Sequence, residues 1–203
     1  MANIKIIESD RQISQKINNA LAKELDRSMR KNSAKLKTRL QNIISSALWS
    51  SPEISSLSSG TLMADFGLTS DPSSAIVSSI LSSVVVDVKR VKSSALSIDG
   101  GIILAIQPID YSNLFSLSVS EQVIDGGSIP WLKWLLTLGD TIIIANFGVK
   151  YGPFGRTGKA HMTQTSRPFK VNSLFSGTAD NNFITRALSN SSAQIKQAIR
   201  GAL

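Results

Sequence analysis

Apolar residues at Ile13, Ile17, Leu21, Leu25 and Met29, resumed after a polar interval at Leu36, Leu40, Ile43, Ile44 and Leu48, keep the i, i+4 rhythm of a helix face. Ser9 or Asp10 can cap its start. The pattern predicts one long helix, and any kink falls at Asn32-Ser33. Over about 38 residues such a helix reaches about 57 Å, more than the diameter of a small domain. It is expected to project or to pack on a neighbour. Ser51-Pro52 and Asp71-Pro72 each set a capping side chain before a proline, which predicts short helices from Pro52 to Ser58 and from Pro72 to about Ser83.

Beyond Val84 the period changes. β-Branched residues dominate, and Val84 to Val91, Ile98 to Gln107, Asn113 to Val119 and Thr141 to Tyr151 read as strands. The third alternates Phe115, Leu117 and Val119 with Ser116, Ser118 and Ser120, as a sheet covered on one side requires. Between the third and fourth, Ser128 and Pro130 open a helix at Trp131 and Gly139 ends it. A final helix, about Asp180 to Arg200, carries Ile184, Ala187, Leu188, Ile195, Ala198 and Ile199 on one stripe. The expected fold is α+β: a long N-terminal helix, an antiparallel sheet of about four strands, short helices, and a C-terminal helix packed on the sheet. Residues 1–50 form the helix and 51–203 the α+β domain of what is expected to be one domain overall.

Charge and composition narrow the partners. The chain has 22 basic and 14 acidic residues, a formal charge of +8, which favours nucleic acid or an acidic protein surface. It has no cysteine, so disulfides and thiolate metal sites are excluded. No stretch at Met1 to Asp10 has the apolar core of a signal peptide, and no run approaches the roughly 18 apolar residues of a membrane span. A soluble, unsecreted protein without membrane contact is expected. Serine clusters between Ser45 and Ser97, where regularly spaced apolar residues still argue for order.

Catalytic chemistry is not written in the residues. Gly155-Arg156-Thr157-Gly158-Lys159 follows a strand and superficially suggests a phosphate-binding loop, but Pro153 stands where such a loop needs glycine and Ala160 where it needs a hydroxyl. The stretch reads as a flexible surface loop whose use would be docking. His161 is the single histidine, with no nucleophile or carboxylate cluster beside it, and reads as structural. One histidine and scattered acids supply neither zinc spacing nor a calcium loop, so no metal, cofactor or catalytic residue is expected. Arg27, Lys31, Lys35 and Arg39 recur every fourth residue of the first helix. This basic stripe is a solvated face, a salt-bridging surface for a neighbouring subunit, or a contact for DNA phosphates. No base-reading motif accompanies it. Trp131 and Trp134 are core residues or interface anchors.

Two segments resemble a known family. Leu62-Met63-Ala64-Asp65-Phe66-Gly67-Leu68 is one. The other runs from Trp131 to Leu188: the tryptophan helix, the Gly139-Asp140 turn, a strand, the loop Gly152 to Lys159, Ser166-Arg167-Pro168-Phe169, and Gly177-Thr178-Ala179-Asp180 leading to the last helix. Together they resemble the head–tail joining proteins of tailed bacteriophages, the neck, connector or tail-completion proteins. The resemblance implies a structural, non-enzymatic virion protein. Assembled in the host cytoplasm, roughly six or twelve copies would form a ring between the portal or adaptor and the tail terminator, tube or sheath, with non-specific contact to the passing genome. Leu40, Ile44, Trp131, Trp134, Gly155 and Arg156 are the candidate interface residues. A tail terminator ring and a non-specific DNA-binding module are the alternatives.

Overall fold

The computed structural model describes residues 8–124 and 127–202. Its contacts divide the chain into two compact units: Met1–Leu40, Val84–Ala105 and Gln194–Leu203 make the first, and Gln41–Ser83 with Ile106–Ala193 the second. The protein mixes helix and sheet, with a long N-terminal helix and small antiparallel sheets.

Helix α1 spans Asp10–Trp49 and runs through Asn32-Ser33 without a break. Ser9 caps it reciprocally: the Gln12 amide donates to Ser9 Oγ at 3.4 Å, and the Ser9 amide donates to Gln12 Oε1 at 2.9 Å. Its buried positions are Ala22, Met29, Leu36, Leu40, Ile44 and Leu48, whereas Ile17, Leu21 and Leu25 are 54, 50 and 36% exposed. The N-terminal part of the helical face is therefore less covered than its period predicts.

In the first unit, β1 (Val85–Ser93) and β2 (Ile98–Ala105) form an antiparallel hairpin whose register slips between Lys89 and Lys92. The slip frees the Val91 amide, which donates to Asp26 Oδ1 on α1 at 3.1 Å, while Asn18 donates to the Ser94 carbonyl at 2.9 Å. Gly100 is required opposite: a Cβ there would lie 2.8 Å from Val91 Cα. Helix α8 (Ser192–Arg200) ends against α1, where Asn32 donates to the Ala202 carbonyl at 3.2 Å.

The second unit begins with α2 (Pro52–Ser59), α3 (Thr61–Asp65) and α4 (Ser73–Ser82). The Ser51 cap forms, its Oγ accepting from the Ile54 amide. The Asp71 cap is corrected, since Pro72 itself is the N-cap of α4 and Asp71 Oδ1 only accepts from the Ser73 amide at 2.8 Å in the turn before it. After them come α5 (Ser112–Phe115), the hairpin β3 (Gln122–Ile124) with β4 (Gly127–Ile129), and α6 (Trp131–Thr137). A third hairpin, β5 (Phe147–Tyr151) with β6 (Ala160–Gln164), and α7 (Phe183–Asn190) complete the unit.

The expected four-stranded sheet is corrected. The three described sheets are separate two-stranded antiparallel hairpins. Residues 113–119 alternate like a strand, yet no strand pairs with them. Ser112–Phe115 is instead helix α5, and turns continue it, the amides of Ser116, Leu117 and Ser120 donating to the carbonyls of Ser112, Leu114 and Leu117, while Ser120 Oγ and Trp131 Nε1 donate to the carbonyls of Phe115 and Val119. The strand expected from Thr141 begins only at Phe147, because Asn146 takes a left-handed φ of 61°. The single C-terminal helix is likewise two, α7 and α8, parted at the buried Ser191 inside a serine-rich stretch of poor helix formers. α7 is anchored to helices rather than to a sheet: Arg186 bonds Glu53 of α2 at 2.5 Å, and Asn182, its cap, donates to the Leu136 carbonyl of α6 at 3.4 Å.

Candidate functional site

The second unit holds an apolar cavity of about 310 Å³. Its walls come from both resembling segments, which stand more than 60 residues apart in the chain: Asp65, Phe66 and Gly67 from one, and Trp134, Ile144, Val149, Arg156, His161, Met162 and Phe169 from the other. Trp134 meets Phe169 edge-on with ring centroids 6.5 Å apart, and Phe66 meets Trp131 at 5.5 Å.

The glycine-rich stretch is the connection of the β5–β6 hairpin, closed by the Gly152 amide donating to the Lys159 carbonyl at 2.9 Å. Gly155 and Gly158 have φ of +70 and +64°, the left-handed conformation glycine adopts without strain. A strand follows Lys159, so there is no helix N-terminus of the kind a phosphate loop uses. The loop docks on the 62–68 segment. Arg156 Nη2 donates to the Gly67 carbonyl at 2.8 Å, and Lys159 Nζ lies 3.1 Å from Met63 Sδ.

Asp65 and His161 are polar groups of the cavity wall, and Tyr151 reaches Asp65 from outside it. Tyr151 donates to Asp65 Oδ1 at 2.5 Å. Burial pushes the Asp65 carboxyl above the usual carboxylate range, with the tyrosine bond opposing, and burial together with Asp65 pushes the Tyr151 phenol up. His161 packs edge-on against Phe154 with centroids 5.1 Å apart, and its Nδ1 is buried without a hydrogen-bond partner among the described residues.

The remaining resembling motifs prove to be supports. Gly139, at φ +57°, ends α6 and donates to the Gly177 carbonyl at 2.9 Å. Gly177 cannot carry a side chain, since a Cβ there would lie 2.6 Å from that of Asn182. Asn182 caps α7, in a capping box with Thr185. It also donates to Tyr111 Oη at 2.7 Å, and that hydroxyl donates to the Ala179 carbonyl at 2.7 Å.

The candidate interface residues fall into three kinds. Leu40, Ile44 and Trp131 are wholly buried by their own chain. They are core positions, which corrects the expectation that Leu40 and Ile44 meet another subunit and agrees with the core reading of Trp131. Trp134 is half-buried in the cavity wall, and Gly155 and Arg156 are exposed on the loop. Of the basic stripe, Arg27, Lys31, Lys35 and Arg39 are all exposed. Lys35 and Arg39 also flank a small recess of about 100 Å³ against Ala198, Gly201 and Ala202, where they face the negative end of α8. Sequence reading missed Asp65 and Tyr151 as a pair, because nothing in the local pattern of either points to the other.

No described helix is long and apolar enough to cross a membrane. Comparison of the chain with protein-family models, curated proteins and solved structures finds no match.

Proposed function

We propose that the chain is a structural virion protein of a tailed bacteriophage, one subunit of a ring in the neck that joins the portal or head connector to the tail and lets the genome pass. One observation carries the reading. The two segments that resemble head–tail joining proteins are distant in sequence, yet they meet around one cavity and are tied together by Arg156 to Gly67 and Tyr151 to Asp65. What resembles the family is thus a single folded site with its supports, not scattered strings. The surrounding chemistry suits attachment rather than turnover: an apolar hollow, an exposed loop arginine and glycines that set turns.

Gold-labelled antibody against the chain, applied to purified virions and imaged by electron microscopy, tests this. Label at the head–tail vertex is expected. Label spread over the capsid or along the tail, or virions lacking the chain, overturns the proposal.

A further inference from the structure

Dividing the chain into its two units divides its charge. The first unit carries 15 basic and six acidic residues, a net +9, and the second seven basic and eight acidic, a net −1. The whole excess of the protein therefore sits on one α-helix, one hairpin and the C-terminal helix. It is also at the surface: Arg27, Lys31, Lys35 and Arg39 of α1, Lys89, Arg90 and Lys92 of β1, and Lys196 and Arg200 of α8 are exposed. Lys16, Arg30 and Lys89 have acidic partners in Glu8, Asp26 and Asp99, but no ion pair among the described residues engages Arg27, Lys31, Lys35, Arg39, Arg90 or Lys92.

A second division runs the same way. All three tryptophans, both tyrosines and all seven phenylalanines lie in the second unit, and the first has no aromatic residue. Two classes of partner lose support from this. Protein-binding hot spots are built on tryptophan, tyrosine and arginine in desolvated pockets, and single-stranded nucleic acid is held by bases stacked on aromatic rings. Further copies of the chain are no better, because the second unit has only one more acid than it has bases and each added copy brings +8. A broad cationic surface without rings matches a polymer of phosphates whose bases stay stacked inside a helix.

We infer that the first unit binds the phosphate backbone of duplex DNA, without sequence preference and without base stacking. The inference rests on charge and aromatic placement and stands whether or not the ring reading holds. Each phosphate neutralised contributes about −0.9 to the slope of log K against log salt, so about five contacts give a slope near −4.5.

The test is fluorescence anisotropy of a labelled duplex of about 30 base pairs titrated with the intact protein at several salt concentrations. A steep salt slope is expected, with weaker binding to single strands of the same length. The triple variant Arg27→Glu, Lys31→Glu, Lys92→Glu is expected to lose about 100-fold in affinity at low salt. The triple Lys133→Glu, Arg167→Glu, Lys170→Glu, which makes the same charge change in the second unit, is expected to lose less than a tenth as much. Circular dichroism establishes that each variant is folded. Should the first triple unfold, Arg27→Gln and Lys31→Gln are each expected to reduce the slope by about one. Equal losses in the two triples, tighter binding to single strands, tighter binding to poly-glutamate than to DNA, or no binding at low salt would each overturn the inference.

Discussion

Tyr151 donates its phenolic hydrogen to Asp65 Oδ1 at 2.5 Å, joining the end of β5 to the end of α3 across 86 positions of sequence. Burial raises the Asp65 pKa, and the tyrosine bond, which favours the carboxylate, only partly offsets it. A carboxyl with a raised folded pKa contributes stability that is fully present below its unfolded pKa of about 3.9 and is lost as pH rises through the folded value. Ionised Asp65 is thus a liability at neutral pH. Asp65→Asn keeps an acceptor for Tyr151 and removes the charge, so the melting temperature at pH 7 should hold or rise, with no gain near pH 3. Tyr151→Phe should move the Asp65 titration, followed by carboxyl carbon NMR, further up. A downward shift would show that the tyrosine is not the group holding the carboxylate.

Glu53 on α2 is 2% exposed and meets Arg186 of α7 at 2.5 Å. Removing one partner of a buried pair strands the other charge, and the buried member suffers more. Arg186→Ala should cost about 3 kcal/mol in chemical denaturation at pH 7. Glu53→Gln, which leaves a neutral group facing a half-exposed arginine that water can reach, should cost distinctly less. Equal losses would mean that packing of the arginine stem, not the pair, holds α7 on α2.

Much of this was legible in the chain, and the failures share a cause. The long helix, its Ser9 cap, the Ser51 cap, the Trp131 helix and the glycine turns follow from interactions a few residues long. The sheet did not, because alternation reports a half-buried extended surface only if a partner strand exists. At 113–119 the chain instead closes a short helix and turns on itself, with Ser120 and the Trp131 indole taking carbonyls left over. The charge was counted from sequence but its meaning was not, since only the fold brings 84–105 and 194–203 to the first 40 residues. The Tyr151–Asp65 pair is a purely tertiary product.

The burial of Leu40 and Ile44 reverses what their variants should do. Both are 0% exposed in the single chain, so removing their side chains opens cavities in the core. Leu40→Ala and Ile44→Ala should each cost about 2–5 kcal/mol in the isolated protein, with no partner present. Ile17→Ala and Leu21→Ala, at half-exposed positions of the same helix, should each change stability by less than about 1 kcal/mol. Comparable losses at all four would mean that the N-terminal turns of α1 are buried in solution.

The hairpin loop offers a contrast between two glycines in the same conformation. Gly158, at φ +64°, has open space where a Cβ would stand, so Gly158→Ala meets only the left-handed backbone cost of about 1–2 kcal/mol. Gly155, at φ +70°, would put its Cβ 2.4 Å from the Ala160 carbonyl oxygen, a backbone atom at the start of β6 that cannot rotate away. Gly155→Ala should therefore be clearly the more destabilising in thermal unfolding. It should also loosen the loop that carries Arg156, so hydrogen exchange at residues 152–159 should quicken more in Gly155→Ala than in Gly158→Ala. Arg156→Ala gives the reference for undocking without strain, since it removes only the bond to Gly67, worth about 1 kcal/mol. If Gly158→Ala proves as damaging as Gly155→Ala, the left-handed backbone alone governs the loop, and the close approach to Ala160 is relieved by a small shift of the hairpin.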